Sequence, residues 1–204
     1  MADDYGNKQK HESSNPIQQA LLDRFKREAV RLSRRVAPAT VLEVGCGEGY
    51  MLEVLHDADL GAALTGVDFS KPAIADARKR LGDKAKLEPR DARELADDGR
   101  TFDMVMMLEV LEHIPDPAQM LPILEQLTSR YLLLSVPWEP FFRGLNLVRG
   151  KHVSAWGNDP EHVNHWGRRS FLAFVQRRFT ILETPIVFPW TMVLAEKRTD
   201  TAGG

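Results

Sequence analysis

The stretch Val41–Tyr50 constrains the fold more than any other part of the sequence. It is an apolar run that ends in an acidic residue and continues into three glycines at every second position, Val-Leu-Glu-Val-Gly-Cys-Gly-Glu-Gly-Tyr. Glycine adopts positive φ without strain and lets a ligand approach the backbone closely. The pattern therefore predicts a buried strand, a tight turn and a helix, with a nucleotide-like ligand held over the end of the strand.

Strand-like and helical segments alternate along the following hundred residues. The predicted strands are Thr40–Val44, Ala63–Val67, Ala85–Glu88, Phe102–Leu108 and Tyr131–Val136, and the predicted helices are Glu48–His56, Lys71–Leu81, a short one after Ala92, and Ala118–Leu127. This order indicates βαβ units and a parallel sheet. Because the strands are nearly continuous apolar runs, we expect helices to cover both faces of the sheet.

Further elements are predicted at the two ends of this region. A helix begins at Pro16, with Asn15 as its N-cap, and ends near Val36. Its basic side chains are expected to form a solvated outer face; they are Arg24, Lys26, Arg27, Arg31, Arg34 and Arg35. After a helix over Ser170–Phe179, two strands, Phe179–Phe188 and Thr191–Glu196, are expected to pair antiparallel at the sheet edge.

These segments are consistent with one domain over residues 16–197 of the 204-residue chain. The polar ends, 1–15 and 198–204, are predicted to be disordered tails. An irregular stretch at about 138–167, rich in Trp, His, Gly and Pro, is long for a passive connection, and we predict that it is a lid or functional insertion.

Composition narrows the classes of function. The formal charge of −2 and the pI of about 6.3 give no electrostatic support for a nucleic-acid partner. The single cysteine, Cys46, excludes an internal disulfide and a cysteine metal cluster. We find no segment typical of a signal peptide and no apolar run of about 20 residues, so we expect a cytoplasmic protein without a transmembrane segment.

The spacing of the acidic residues indicates which ligand the glycine turn holds. A dinucleotide fingerprint would be G-x-G-x-x-G, whereas this sequence has G-x-G-x-G with Glu43 two residues before the first glycine. A carboxylate there repels a pyrophosphate but suits an ammonium group. Asp68, after the second strand, is placed to take ribose hydroxyls, and Asp91 to meet the amino group of an adenine. Together they describe a pocket for adenosine joined to an amino acid.

The ordered set of motifs resembles the class I S-adenosylmethionine-dependent methyltransferases. The resemblance covers residues 40–137 and is based on the glycine stretch, Val67-Asp68-Phe69-Ser70, Asp91-Ala92 and the run from Phe102 to Pro117. It implies a single Rossmann-like α/β domain with a seven-stranded, mostly parallel sheet and an antiparallel last strand. One departure is Leu127-Thr128-Ser129-Arg130, where many relatives have Lys-Pro-Gly-Gly.

The resemblance implies S-adenosyl-L-methionine as the cofactor. By this likeness Glu43 and the glycine turn face the methionine part, Asp68 faces the ribose, and Phe69 and Ala92 face the adenine. The cofactor-binding residues it implies are Glu43, Gly45, Cys46, Gly47, Gly49, Asp68, Phe69, Asp91, Ala92, Leu108 and Glu109.

Two groups of residues are candidates for catalysis. Glu109-x-x-Glu112-His113 follows the fourth strand, and Glu161-His162-Val163-Asn164-His165-Trp166 lies in the insertion. Glu109, Glu112, His113 and His162 resemble the divalent-metal site of small-RNA 3′-terminal 2′-O-methyltransferases. Quinone-biosynthesis O-methyltransferases also share the Glu-Val-Leu-Glu-His stretch. Three alternatives stay open: a metal site, a general base at His113, His162 or His165 without metal, and a structural role.

The main functional prediction is methyl transfer to a small molecule. We favour a hydroxyl oxygen as the acceptor atom over nitrogen or carbon. Basic and apolar residues mix between Trp138 and Arg178, which suits an amphiphilic or anionic substrate, or weak contact with a membrane surface. A lid that packs on its own pocket explains the same pattern. The alternatives to the main prediction are a metal-assisted RNA 2′-O-methyltransferase and a cofactor-binding protein without catalysis.

Overall fold

The computed structural model describes residues 15–138 and 164–198. All of the predicted strands and helices fall within these ranges. The predicted tails lie almost wholly outside them, and so does most of the predicted insertion, including Trp156 and His162.

Six helices and eight strands make up the described residues. The helices are α1 Pro16–Val36, α2 Tyr50–Asp57, α3 Lys71–Leu81, α4 Ala92–Asp97, α5 Met120–Leu127 and α6 Arg168–Val175. The strands are β1 Thr40–Val44, β2 Ala63–Val67, β3 Lys86–Glu88, β4 Phe102–Leu108, β5 Thr128–Pro137, β6 Phe179–Glu183, β7 Ile186–Val187 and β8 Trp190–Lys197. Short 3₁₀ turns occupy Gly82–Lys84, Leu111–His113 and Pro117–Gln119.

The strands form one sheet in the order β3-β2-β1-β4-β5-β8-β6, with β7 paired to β8. Strands β1 to β5 pair in parallel, and β8 runs antiparallel to both β5 and β6. This confirms the predicted Rossmann-like α/β sheet, with seven strands along its main path and an antiparallel last strand. The two-residue strand β7 is an addition to that path.

The predicted antiparallel pair at the sheet edge is confirmed, and the structure adds the order of its two strands. Strand β8 is the inner one, between β5 and β6, and β6 forms the edge. Residues Thr191 to Ala195 are all buried, because alternate side chains of β8 enter the cores on opposite faces of the sheet. A strand that is apolar on both faces is more stable inside a sheet than at its edge.

Helices cover both faces of the sheet, as predicted. Side chains of α1, α2 and α3 share one buried cluster with Val41 and Met104, whereas those of α4, α5 and α6 share the other with Leu42 and Val105. Because successive strand residues point to opposite faces, Glu43 projects to the same side as Val41, toward α1. None of the helices in the two described ranges combines the length and apolar character needed to cross a bilayer.

Helix α1 begins and ends where the sequence predicts, but its basic face is not merely solvated. The Asn15 side chain accepts hydrogen bonds from the backbone N–H groups of Ile17 and Gln18, at 3.0 and 3.4 Å. Arg31 and Arg35 both pair with Glu183 at the end of β6, and Arg24 donates to the carbonyl oxygen of Ile186 at 2.9 Å. These side chains are correctly predicted to be exposed, yet they join α1 to the β6–β7 edge.

We expect Gly66→Ala to destabilise the domain by about 1–3 kcal/mol, because the site is already filled. A Cβ at this position of β2 would lie 2.6 Å from Leu52 Cδ1, 2.8 Å from Cys46 Sγ and 3.0 Å from Leu87 Cδ2. The measurement is urea unfolding of the wild type and the variant.

The matched test is Cys46→Ala in the Gly66→Ala background. If overlap with the sulfur contributes to the loss, the double variant should be less destabilised than the sum of the two single variants. Strict additivity would contradict this explanation.

Candidate active site

The glycine turn joins β1 to α2 in a conformation that needs glycine. Gly45, Gly47 and Gly49 have φ values of +73°, +52° and +79°. A Cβ at Gly45 would lie 2.6 Å from Val110 Cγ2, and one at Gly49 would lie 2.7 Å from Leu81 Cδ1. The turn therefore packs closely against the segment after β4 and against α3, and side chains at these positions would both strain the backbone and clash.

Hydrogen bonds fasten this turn to the end of β2. The backbone N–H groups of Gly45 and Cys46 both donate to the carbonyl oxygen of Val67, at 2.8 and 3.1 Å. The carboxylate of Asp68 accepts from the N–H of Gly47 at 2.9 Å and from the N–H of Ser70 at 2.8 Å. Asp68 is therefore held in one orientation beside the turn, as a ribose-binding carboxylate would require.

A cavity of about 440 Å³ opens over the carboxyl ends of β1, β2 and β4. Its lining includes many of the site residues predicted from sequence: Gly45, Gly47, Asp68, Phe69, Asp91, Ala92, Glu109 and His113. Phe69 is 83% exposed and offers its ring as one wall, while Ala92 is buried. Asp91 caps α4 by accepting from the N–H of Arg93 at 2.8 Å and also pairs with the Arg93 guanidinium at 3.0 Å.

A smaller space of about 90 Å³ adjoins this cavity under α1. It is lined by Glu43, Cys46 and Leu108, and it shares Gly45, Glu48 and Glu109 with the larger cavity. The structure thus divides the predicted cofactor residues between two adjoining spaces, a large one at Asp68 and a small one at Glu43.

Glu43 is a buried acid of the site with a strongly raised pKa. It is 5% exposed, and its Oε2 atom has no hydrogen-bond partner in residues 15–138 and 164–198. Burial, with a contribution from the nearby charge of Asp68, raises the pKa of Glu43 to about 8. A buried carboxyl oxygen without a donor is costly, and an ammonium group of a ligand would supply that donor. The site therefore fits an amino-acid ligand joined to adenosine.

The first catalytic group lies between these spaces and the core. The Glu109 Oε1 atom accepts from the hydroxyl of Ser135 at 2.9 Å, Glu112 is 1% exposed, and His113 is exposed at the cavity. In the described part of the chain no three His, Cys, Asp or Glu side chains gather as a metal site would require. Glu109, Glu112 and His113 therefore do not form a metal centre by themselves, and the fourth predicted ligand, His162, lies outside the described residues.

The two groups of catalytic candidates meet in the structure. The backbone N–H of Asn164 donates to the carbonyl oxygen of Glu112 at 3.1 Å, and the Asn164 side chain donates to the carbonyl oxygen of Ile114. His165 follows on this docked segment and is exposed. Trp166 is half-buried and packs against the core, where the centre of its ring lies 5.0 Å from that of Phe174.

Several residues of the site were not predicted from sequence. Lys26 and Trp190 close the small space, and Ser135 orients Glu109. Arg80 donates to the carbonyl oxygen of Glu48 at 3.2 Å and lies 3.9 Å from the centre of the Tyr50 ring, so it braces the glycine turn. No local motif marks these residues, since each reaches the site through tertiary packing.

Comparisons with known proteins agree with the geometry. Residues 17–179 match the model of a methyltransferase domain family. The ubiquinone biosynthesis O-methyltransferase of Coxiella burnetii is 40% identical over 85 residues, which make up 40% of this chain and 35% of that protein. The chain thus spans about a third of the length of this curated relative.

Two solved structures show the same fold. The magnesium protoporphyrin IX methyltransferase of Synechocystis PCC 6803, solved with bound SAH, superimposes with a TM-score of 0.69 at 19% identity, over 94% of this chain and 92% of that one. The small RNA methyltransferase HEN1 superimposes with a TM-score of 0.73 at 19% identity, over 88% of this chain and 25% of that one.

The fold and the glycine-turn cavity define a class I S-adenosylmethionine-dependent methyltransferase, as the sequence predicts. More particularly, the chain belongs to the methyltransferase domain family that its residues 17–179 match.

We expect the free energy of unfolding of the ligand-free protein to fall as the pH rises from about 5 to 8. Folding raises the pKa of Glu43 from 4.5 to about 8, so the folded state keeps a proton that the unfolded state releases. The loss from this group approaches about 1.4 kcal/mol per pH unit within the window. Glu43→Gln has no carboxyl to titrate and should show a flatter profile in urea unfolding at several pH values.

Carboxyl groups whose pKa is lowered do not interfere with this comparison. Glu88, Asp98 and Glu183 are of this kind: desolvation opposes the shift, most of all at Glu88, but hydrogen bonds from arginine partners, and from Lys86 at Glu88, lower their pKa values. Their contribution is present above about pH 4.5 and is lost only in more acidic solution. Equal pH slopes for wild type and Glu43→Gln would contradict the protonated state of Glu43.

Proposed function

We propose that this protein transfers a methyl group from S-adenosylmethionine to a hydroxyl oxygen of a small-molecule acceptor. The observation that supports it most is the pair of adjoining spaces, with the orphan carboxyl oxygen of Glu43 at one and the fixed carboxylate of Asp68 at the other. The family match supports methyl transfer, and the relative named above, an O-methyltransferase of ubiquinone biosynthesis, supports an oxygen acceptor.

In this proposal the main task of the chain is to bind the cofactor and the acceptor and to align them for the transfer. S-adenosylmethionine, when bound, would supply an electrophilic methyl group on a sulfonium. Glu43 would take the ammonium group, Asp68 the ribose hydroxyls, and Phe69 and Ala92 the faces of the adenine. Alignment of two reactants in one site contributes the larger part of the rate enhancement in such a displacement.

The acceptor proton needs a base if a hydroxyl is the nucleophile. His113 is our candidate, because it is exposed at the cavity wall after β4. His165 is the second candidate, since the docking of Asn164 on Glu112 brings its segment to the same side. His162 stays a candidate from the sequence alone.

The metal-assisted RNA alternative has less support. Its four-residue ligand set would need His162 to complete a site that Glu109, Glu112 and His113 do not form by themselves. The likeness to HEN1 is at 19% identity and concerns the fold. The net charge of −2 also gives no electrostatic attraction for a polyanion.

We expect Asp68→Asn to weaken binding of S-adenosylhomocysteine by about 10-fold or more. Asparagine keeps one acceptor oxygen for the turn, loses the acceptor for the second backbone N–H, and loses the charge that strengthens hydrogen bonds from two ribose hydroxyls. Isothermal titration calorimetry gives the dissociation constants. Asp91→Asn should weaken binding of S-adenosylhomocysteine only a few-fold, because the Asp91 carboxylate already accepts from the backbone and the guanidinium of Arg93. Equal losses in the two variants would contradict the assignment of Asp68 to the ribose.

We expect His113→Ala to lower kcat by about 10²–10⁴-fold, the usual contribution of a general base. Binding of S-adenosylhomocysteine should change little, and the acidic limb of the pH–rate profile should disappear. The matched control is His56→Ala at the exposed end of α2, which should leave kcat unchanged. Loss of cofactor affinity in parallel with kcat would indicate a structural role instead.

The proposed activity is tested with radiolabelled S-adenosylmethionine and a panel of phenols, other hydroxylated small molecules, amines and an RNA oligonucleotide. Label transferred to a small hydroxylated acceptor supports the proposal. Transfer to RNA that is abolished by chelators would favour the metal-assisted alternative. Tight cofactor binding without transfer to any acceptor would favour a binding protein.

A further inference from the structure

The small space under α1 has a basic side chain on one wall and a buried carboxyl group on another. Leu22, Phe25 and Lys26 of α1 form one wall, and Glu43 at the end of β1 lies among the others. The ring of Phe25 packs against that of Trp190 with centroids 5.0 Å apart, which holds the helix over the strand ends. The space is bordered by buried and half-buried residues and shares Gly45, Glu48 and Glu109 with the lining of the main cavity.

Lys26 differs from four of the five arginines of the same helix, and it differs from the fifth, Arg27, in that it lines the small space. Arg24, Arg31, Arg34 and Arg35 all bond to backbone or carboxylate oxygens elsewhere. Lys26 is half-buried and has no hydrogen bond or ion pair to any residue in 15–138 or 164–198. A half-buried ammonium without a counter-charge is unfavourable, so the position favours an anionic group supplied by a ligand.

Glu43, in the same space, lacks a hydrogen-bond donor among the described residues, just as Lys26 lacks an acceptor. Its Oε2 atom is buried and lacks a donor, and no ion pair joins it to Lys26 within the described residues. The two side chains thus border one cavity without neutralising each other. About 90 Å³ is room for about three water molecules, which suits the ammonium and carboxylate of an amino acid but not an adenine.

We propose that Lys26 binds the α-carboxylate of the cofactor while Glu43 binds its α-ammonium, so that Lys26 makes the site selective for a cofactor with an intact amino acid. This inference rests on the proposed binding of S-adenosylmethionine. It adds a residue from a helix that lies outside the motifs of the sequence, and it explains why that helix covers the strand ends.

The test compares ligands with and without the carboxylate. Lys26→Met keeps the apolar stem and removes the charge. It should weaken binding of S-adenosylhomocysteine by about 10-fold or more, the range for a hydrogen bond to a charged group. Binding of methylthioadenosine, which lacks the amino-acid part, should stay within about two-fold of wild type, and Lys26→Arg should retain most of the affinity for S-adenosylhomocysteine. Calorimetry measures each dissociation constant.

Arg27→Met is the matched control, because Arg27 is the neighbouring cation of the same helix but faces the outer surface. It should leave the affinity for both ligands unchanged. An unchanged affinity of Lys26→Met for S-adenosylhomocysteine would overturn the inference, and so would equal losses for the two ligands, which would indicate a displaced helix. Failure of the wild type to bind S-adenosylhomocysteine would instead overturn the proposed function on which the inference rests.

Discussion

The hydrogen bonds between the glycine turn and the end of β2 are the constraint on which the site depends. Val67 offers its carbonyl oxygen to two successive N–H groups of the turn, and Asp68 offers its carboxylate to a third. These bonds satisfy backbone donors that a tight turn leaves without intrahelical partners. They also set the distance between the turn and Asp68, and hence the width of the cavity. The same carboxylate therefore holds the structure together and faces the ligand.

Most of the fold was predictable from sequence because its signals are local. Each central strand is an apolar run and each helix between them has an apolar stripe, so element type and parallel pairing follow directly. The position of β8 was not predictable in the same way. Its sequence pattern predicts a strand but not the position of that strand in the sheet. Only burial on both faces distinguishes an interior strand from an edge strand. The role of Arg31 and Arg35 was hidden for a similar reason, since their partner Glu183 is about 150 residues away.

The residues of the candidate site also fall into a group that the sequence predicts and a group that only the structure shows. Glu43, Asp68 and the three glycines lie at strand ends, where parallel topology gathers residues from separate parts of the sequence at one edge. Sequence reasoning could therefore place them together. Lys26 could not be found in this way, because on a helical wheel it looks like any other cation beside an apolar stripe. Only the packing of Phe25 on Trp190 turns that side of α1 toward Glu43.

The buried carboxyl of Glu43 has a consequence for how the protein would respond to solution conditions. A group with a pKa of about 8 is mostly protonated in the ligand-free protein at neutral pH. If an ammonium group comes to lie beside it, the charged form is favoured and a proton leaves to solvent. Binding is then linked to proton release, and affinity rises with pH up to about 8. Donor and demethylated product share the same ammonium, so this linkage acts on both equally and leaves their discrimination to the sulfur end of the site.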